Sequence, residues 1–399
     1  MEAVKGGVTA PAGFSASGVS CGIKKRGKDL ALIFSERPAT AAGTLTTNSL
    51  KASCVEWAAS LLKRGVARAI VANSGNANCC TGRRGVQDTA AMAKLTAKKL
   101  AVRPSEIFVA STGIIGKALP MERAGRGIQA AAENLSRTGS LSAAEALMTT
   151  DTHPKEIAIR FQVGGRPVTV GGIAKGSGMV SPNMATMLAF LTTDAQVEKN
   201  GLRDALRFAV DHSFNTITID GEMSTNDMVL FLANGASGAG PIRKGTKAYQ
   251  DFFDAVVKVC RHLAHEMVRD GEGVTRLFTV HVTGASSQEA ARQIARQTAN
   301  SLLIKTMVAG RDPNWGRIAA AVGASGAPVN LKRLKIRLGK TVVFRSGEPT
   351  RPRHESLLQE VDQPEVKIGI DLGSGSAQAK ILSGDLTEGY IRINAKYTT

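Results

Sequence analysis

Lys175-Gly-Ser-Gly-Met-Val-Ser-Pro-Asn-Met-Ala-Thr186, running straight into Met187-Leu-Ala-Phe-Leu191, is the stretch that decides how this chain is read. Its first part is small, polar and glycine-rich. The part that follows is continuously apolar, as a buried central strand would be. Thr186 stands at the junction. A loop of small residues can bend until the Thr186 hydroxyl meets the carbonyl carbon of Ala185. An N-to-O acyl shift and hydrolysis of the ester then leave Thr186 as a new N-terminus. The freed α-amino group has an ordinary pKa of about 7.7–8.0, near enough to neutrality to take the proton of its own hydroxyl. That is the N-terminal-threonine form of a nucleophile with its base. On composition alone the same residues also read as a Gly/Ser turn before an ordinary strand, which is the commoner use of such a loop.

The 399 residues, 43% hydrophobic and 21% charged, describe a globular chain of two domains, or of one large domain with an appendage. No apolar run reaches the roughly 18–20 residues needed to cross a bilayer, and Met1-Glu-Ala-Val-Lys-Gly-Gly7 lacks the apolar core of a signal peptide. The five cysteines include adjacent Cys79 and Cys80 and form no C-x-x-C, so reduced thiols in a cytoplasm are expected. A net charge of +18 raises the possibility of a nucleic-acid partner, yet the basic residues are dispersed and aromatic residues make up only 4%, leaving few stacking platforms. The densest basic cluster, Lys332, Arg333, Lys335, Arg337 and Lys340, alternates with Leu334, Ile336 and Leu338, the pattern of one solvated strand face.

Strand patterns fall at 66–73, 106–111, 156–163, 186–193 and 228–233, the last two apolar throughout. Helical stripes fall at 84–100, after Pro120, at 197–212 and at 247–269, where Asp270-Gly-Glu-Gly273 stops the longest of them. Ser286-Ser-Gln-Glu289 reads as a capping box, and 347–363 as a polar connector or long hairpin. Strands and helices are interspersed without regular βαβ units, which argues for a layered α/β sandwich over a doubly wound sheet. Two motifs are weighed and set aside. Ile368-Gly-Ile-Asp-Leu-Gly-Ser-Gly-Ser376 looks like a phosphate loop but stands near the end of the sequence without a third glycine, and reads as a surface hairpin turn. His262 and His265 are three apart and not in a His-Glu-x-x-His order, so a helix surface is expected rather than a metal site.

The 175–186 segment closely resembles the self-cleavage site of the glutamate N-acetyltransferase / ornithine acetyltransferase family of arginine biosynthesis. The resemblance runs along nearly the whole chain. It includes Ala10-Pro-Ala-Gly-Phe14, Asn73-Ser-Gly-Asn-Ala-Asn78, Ser111-Thr-Gly-Ile-Ile-Gly116, Met148-Thr-Thr-Asp-Thr152, Ser224-Thr-Asn-Asp227, Asp270-Gly-Glu-Gly273, Asp312-Pro-Asn-Trp-Gly-Arg317 and Ile393-Asn-Ala-Lys-Tyr-Thr-Thr399. Cys79 departs from the alanine expected there and is assigned to packing.

This resemblance implies an α/β fold with a four-layer αββα catalytic core over 1–285, similar in layering to N-terminal-nucleophile hydrolases. A smaller C-terminal α/β domain follows over 286–399, its tail returning to the active site. It implies cleavage between Ala185 and Thr186 into an α chain of 1–185 and a β chain of 186–399, assembled as α2β2. The implied reaction moves the acetyl group of N-acetylornithine to glutamate through an acetyl-Thr186 ester, with acetyl-CoA as a further donor in some members and with no metal or organic cofactor. Thr112 and Gly113 are the implied oxyanion donors. Thr149, Lys175, Thr186, Glu272, Asn394 and Thr399 are the implied substrate-binding residues, with Lys175 on an α-carboxylate and Glu272 on the ornithine ammonium. Two other readings stand beside it: a self-cleaving amidohydrolase or aminopeptidase that passes the acyl group to water, and a basic nucleic-acid-binding protein. No membrane association is expected.

Overall fold

The computed structural model describes residues 1–181 and 187–396. Among the described residues the chain divides into two compact units, the first built from 1–215 and 223–267, the second from 216–222 and 268–396. The boundary therefore falls some way before the expected 285/286. The reason is the strand Leu277–Ala285, which lies inside the second unit's sheet, paired on one side with Glu365–Asp371 and on the other with Ala377–Gly384.

In the first unit the described residues form a nine-stranded sheet. Its order is Glu2–Val4, Lys155–Val163, Arg166–Lys175, Leu188–Thr193, Met228–Ala233, Leu30–Leu45, Val66–Asn76 and Ile107–Ile114, with Phe14–Val19 added on Leu30–Leu45. The long strand Leu30–Leu45 shifts register against its neighbour between Phe34 and Ala39, and such irregularities bend a strand. Its first half carries Phe14–Val19 and its second half Met228–Ala233. One hydrogen-bonded path thus feeds two layers.

Leu188, Phe190, Met228, Leu230 and Leu232 turn into a core shared with Phe14, Leu32, Ile70 and Phe108. From the opposite face Phe231 stacks on Phe252 of the Lys247–Arg269 helix, ring centroids 6.1 Å apart. Helices Ser53–Arg64, Gly82–Leu100 and Met121–Glu133 cover the other flank, and the Ala-rich helix Ser140–Leu147 is buried against Phe14–Val19. The result is the expected helix, sheet, sheet, helix layering. Both strands expected to be apolar throughout are buried at every described position, Leu188–Thr193 and Met228–Ala233 alike.

The second unit is a seven-stranded sheet in the order Ile217–Thr218, Ala377–Gly384, Leu277–Ala285, Glu365–Asp371, Lys335–Leu338, Thr341–Arg345 and Glu348–Pro349. Three local expectations need correction here. The 368–376 motif is not a hairpin turn, because its two flanking strands lie on either side of Leu277–Ala285 and the loop crosses that strand's end. Leu372 N–H donates to Thr283 O (2.9 Å) and Ser374 N–H to Gly284 O (2.7 Å). The connector 347–363 contains the helix His354–Val361, anchored by buried Leu357 and Val361 at i, i+4 spacing. The helix Gln288–Asn300 is capped by Ser287 rather than Ser286, through a 3.1 Å bond from Ala290 N–H. Ile336 and Leu338 are buried while Lys335 and Arg337 reach outward, as their alternation requires. Among the described residues no helix is long and apolar enough to cross a membrane.

Candidate active site

Ala185 and Thr186 lie outside the described residues, as does Thr399. What receives the chain at Met187 is well defined. Met187 N–H donates to Asp227 Oδ1 at 2.7 Å, and Met187 O accepts from Met228 N–H at 3.1 Å. On the other side of the same strand Leu188 is in register with Lys175.

Lys175 ends its strand almost fully buried. Its Nζ donates to Thr149 Oγ1 at 2.8 Å and lies 4.0 Å from Asp151 Oδ2. Asp151 organises this cluster. Its Oδ1 accepts from Lys155 Nζ (2.8 Å) and Gly176 N–H (2.8 Å), and its Oδ2 from Thr149 N–H (3.0 Å). Burial alone would push the Asp151 carboxyl up. The charges of Lys175 and Lys155, with the hydrogen bonds of Lys155 and Gly176, outweigh it and hold the group well below the usual carboxylate range. Two residues expected to bind substrate, Thr149 and Lys175, are therefore held together by a third that carried no assigned role.

Thr112 and Gly113 end the strand Ile107–Ile114, in register with Ser74 and Gly75. Gly113 adopts φ +130°, and a Cβ there would stand 2.4 Å from Gly75 C and 2.5 Å from Asn76 N. Only glycine fits, on both conformational and steric grounds. Asn226 ties this strand end to the start of the strand Met228–Ala233. Its Nδ2 donates to Ser111 O at 2.8 Å and to Ala77 O at 2.6 Å, one residue before Asp227. Thr112, Gly113, Lys175 and Thr149 all belong to the first unit, linked through Asn226, Asp227 and Asp151 to the strand that follows Thr186.

Glu272 and Asn394 belong to the second unit. They meet each other directly: Asn394 Nδ2 donates to Glu272 Oε2 at 2.7 Å. The helix Glu388–Lys396 reaches the Asp270–Gly273 turn closely enough that a Cβ on Gly273, at φ +69°, would stand 2.2 Å from Tyr390 N. Thr387 Oγ1 adds a 2.6 Å bond to Gly273 O. Burial, with Asp220 and Glu272 nearby, pushes the Tyr390 hydroxyl up, so it remains a proton donor, and it reaches Asp220 Oδ2 at 3.4 Å.

The ArgJ family model matches residues 15–399. The chain belongs to the ArgJ family. It is 50% identical over 402 residues to the arginine biosynthesis bifunctional protein ArgJ of Symbiobacterium thermophilum, with both chains covered in full. It is 44% identical over 409 residues to the protein of the same name from Synechocystis sp., covering 100% of this chain and 99% of that one. Among solved structures, the arginine biosynthesis bifunctional protein ArgJ of Bacillus halodurans matches with a TM-score of 0.50 and 39% identity, covering 52% of this chain and 98% of that chain.

Asp151, Asn226 and Asp227 of this ArgJ chain carry no assigned role in the sequence motifs that contain them. A signal for the two acids was present. Asp227 abuts an unbroken apolar strand and Asp151 stands four residues before Lys155, and a charge drawn into an apolar layer must be paired or neutralised. His262 and His265 are exposed on their helix. Cys79 is buried, its Sγ 3.7 Å from Cys80 Sγ, and burial pushes its thiol up, away from nucleophilic use.

Proposed function

We propose that this chain moves the acetyl group of N-acetylornithine to glutamate by a ping-pong route through an acetyl ester on Thr186, after cleaving itself between Ala185 and Thr186. That it is an acetyl-transferring enzyme of arginine biosynthesis follows from its place in the ArgJ family. The observation that carries the finer reading is the buried Lys175–Thr149–Asp151 cluster beside the strand Leu188–Thr193, which begins two residues after Thr186.

In this reading the Thr186 amine takes the hydroxyl proton as Oγ attacks the acetyl carbon. Thr112 and the Gly113 N–H stabilise the oxyanion. The amide C–N bond breaks, and ornithine leaves carrying the proton. The amine of glutamate then attacks the ester, regenerating Thr186 and releasing N-acetylglutamate. Lys175 and Thr149 hold the α-carboxylate, since a buried ammonium favours a charge-assisted partner. Glu272, oriented by Asn394, takes the ornithine ammonium. Thr399 completes the substrate-binding set. Acetyl-CoA is included as a second donor, in keeping with the relatives' being named bifunctional. An α2β2 assembly and a cytoplasmic location complete the proposal.

The deciding assay follows N-acetylornithine consumption with and without glutamate. Acetyl transfer that depends on glutamate supports the reading; hydrolysis indifferent to glutamate replaces it with an amidohydrolase. Thr112→Ala is expected to lower kcat by about 10²-fold, the low end of the usual loss for one oxyanion donor, because the Gly113 N–H remains. An unchanged kcat removes Thr112 from that role. Glu272→Gln is expected to raise KM for N-acetylornithine about tenfold or more, the cost of losing one desolvated charge partner, and an unaltered KM sends the ammonium elsewhere.

A further inference from the structure

Asp227 is a buried acid that the steps above do not use. It is 1% exposed. One oxygen, Oδ1, accepts the Met187 N–H at 2.7 Å. The other, Oδ2, is buried and has no hydrogen-bond partner among the described residues. The backbone that carries it is fixed on both sides: Asp227 O accepts from Thr46 N–H at 2.9 Å, and Asn226 is anchored on Ser111 O and Ala77 O. A side chain in an apolar layer with one unspent oxygen is costly, so its placement beside Met187 calls for a reason.

The Met187 nitrogen is bonded to the carbonyl carbon of Thr186. Gripping this N–H fixes the peptide plane directly after the nucleophile. Both reactions of Thr186, on Ala185 and on the acetyl donor, require its hydroxyl to approach a carbonyl carbon in line, and a displacement of about 1 Å costs about 10²-fold in rate. We propose that Asp227 is a positioning residue for Thr186, acting through the Met187 amide in both self-cleavage and acetyl transfer. This rests on the Thr186 reading and deepens it.

The chemistry of the group fits the task. Burial raises the Asp227 carboxyl well above the usual range; the Met187 N–H bond, the Lys175 charge and the nearby Ser224 hydroxyl oppose this and are outweighed. The side chain is therefore harder to ionise than an ordinary carboxyl. An ionised carboxylate one residue from the new N-terminus would favour its ammonium form, and an ammonium cannot accept the hydroxyl proton.

The test compares Asp227→Ala with Asp227→Asn in the full chain, beside Thr186→Ala. Asn keeps an oxygen acceptor for Met187 N–H and adds no charge. Ala is expected to slow cleavage at 185/186 and to lower the kcat of the cleaved fraction by about 10²-fold, with KM for N-acetylornithine within about twofold because Asp227 does not touch substrate. Asn is expected to rescue cleavage and to restore kcat to within about threefold. Wild-type kcat in the Ala variant overturns the proposal. So does an Asn variant as impaired as Ala, since charge and not the acceptor would then be needed. If Ala does not fold, Asp227→Leu, which fills the space without an acceptor, replaces it. Failure of the Thr186 reading has a different signature: an uncut wild type, or an active Thr186→Ala.

Discussion

Thr186→Ala is expected to yield a single chain of 399 residues where the wild type yields two fragments meeting at 185/186, and to lower acetyl transfer by about 10⁶-fold, the usual cost of deleting a nucleophile. One oxygen atom is asked to do both jobs. On the proposed route it attacks the Ala185 carbonyl in the precursor and carries the acetyl group in the mature enzyme. Alanine removes both and leaves the rest of the site intact, since the neighbouring Met187 is held by its backbone N–H and by Met228 N–H. Intact mass spectrometry reads the first defect and a glutamate-dependent transfer assay the second. Thr186→Ser should cut and turn over, because it retains the oxygen. Normal cleavage in the Ala variant ends the reading. An uncut but active wild type leaves Thr186 without a free amine and moves the base elsewhere.

Local patterns made much of the fold legible. The strand Met228–Ala233 and the helix Lys247–Arg269 appear with the bounds their apolar spacing gives, because burial is what such spacing records. Pairing is a different matter. Nothing local in 368–376 says that Leu277–Ala285 lies between the strands on either side. The Gly373 turn, at φ +58°, looks the same whether the chain folds back or crosses over. The helix His354–Val361 was missed because only Leu357 and Val361 are buried in an otherwise polar stretch. The candidate site residues come from family resemblance alone; among them Lys175 does meet Thr149, and Glu272 meets Asn394. The supporting acids were not assigned, because their roles depend on what surrounds them in three dimensions. The two lysines hold the Asp151 carboxyl well below the usual range, while burial raises that of Asp227. The same residue type is shifted in opposite directions, and no reading of composition separates the two.

That contrast sets the second large effect. Asp151→Ala is expected to destabilise the protein by about 3–5 kcal/mol, the usual cost of removing one member of a buried ion pair, and to lower Tm by about 10 °C. The size follows from burial. The side chains of Asp151 and Lys155 are 0% exposed and that of Lys175 is 3% exposed, so solvent screening does little to soften the loss. The pH dependence has a definite sign. The folded-state pKa of Asp151 lies below its unfolded value of about 3.9. The unfolded chain therefore binds the proton first on acidification, and the stability that the carboxylate supplies is complete above about pH 4 and lost as pH falls through the folded value. The Tm gap between wild type and variant should stay constant from about pH 7 to pH 5 and narrow below about pH 4. Asp151→Asn, which keeps an acceptor for Gly176 N–H but gives up the charge, should fall between the two. A gap that widens on acidification would mean that Asp151 is not the carboxylate that Lys155 and Lys175 share. Because Lys175 takes its position from the same group, the variant should also raise KM for N-acetylornithine at a temperature where it is still folded. A purely structural Asp151 would lower Tm and leave that KM unchanged.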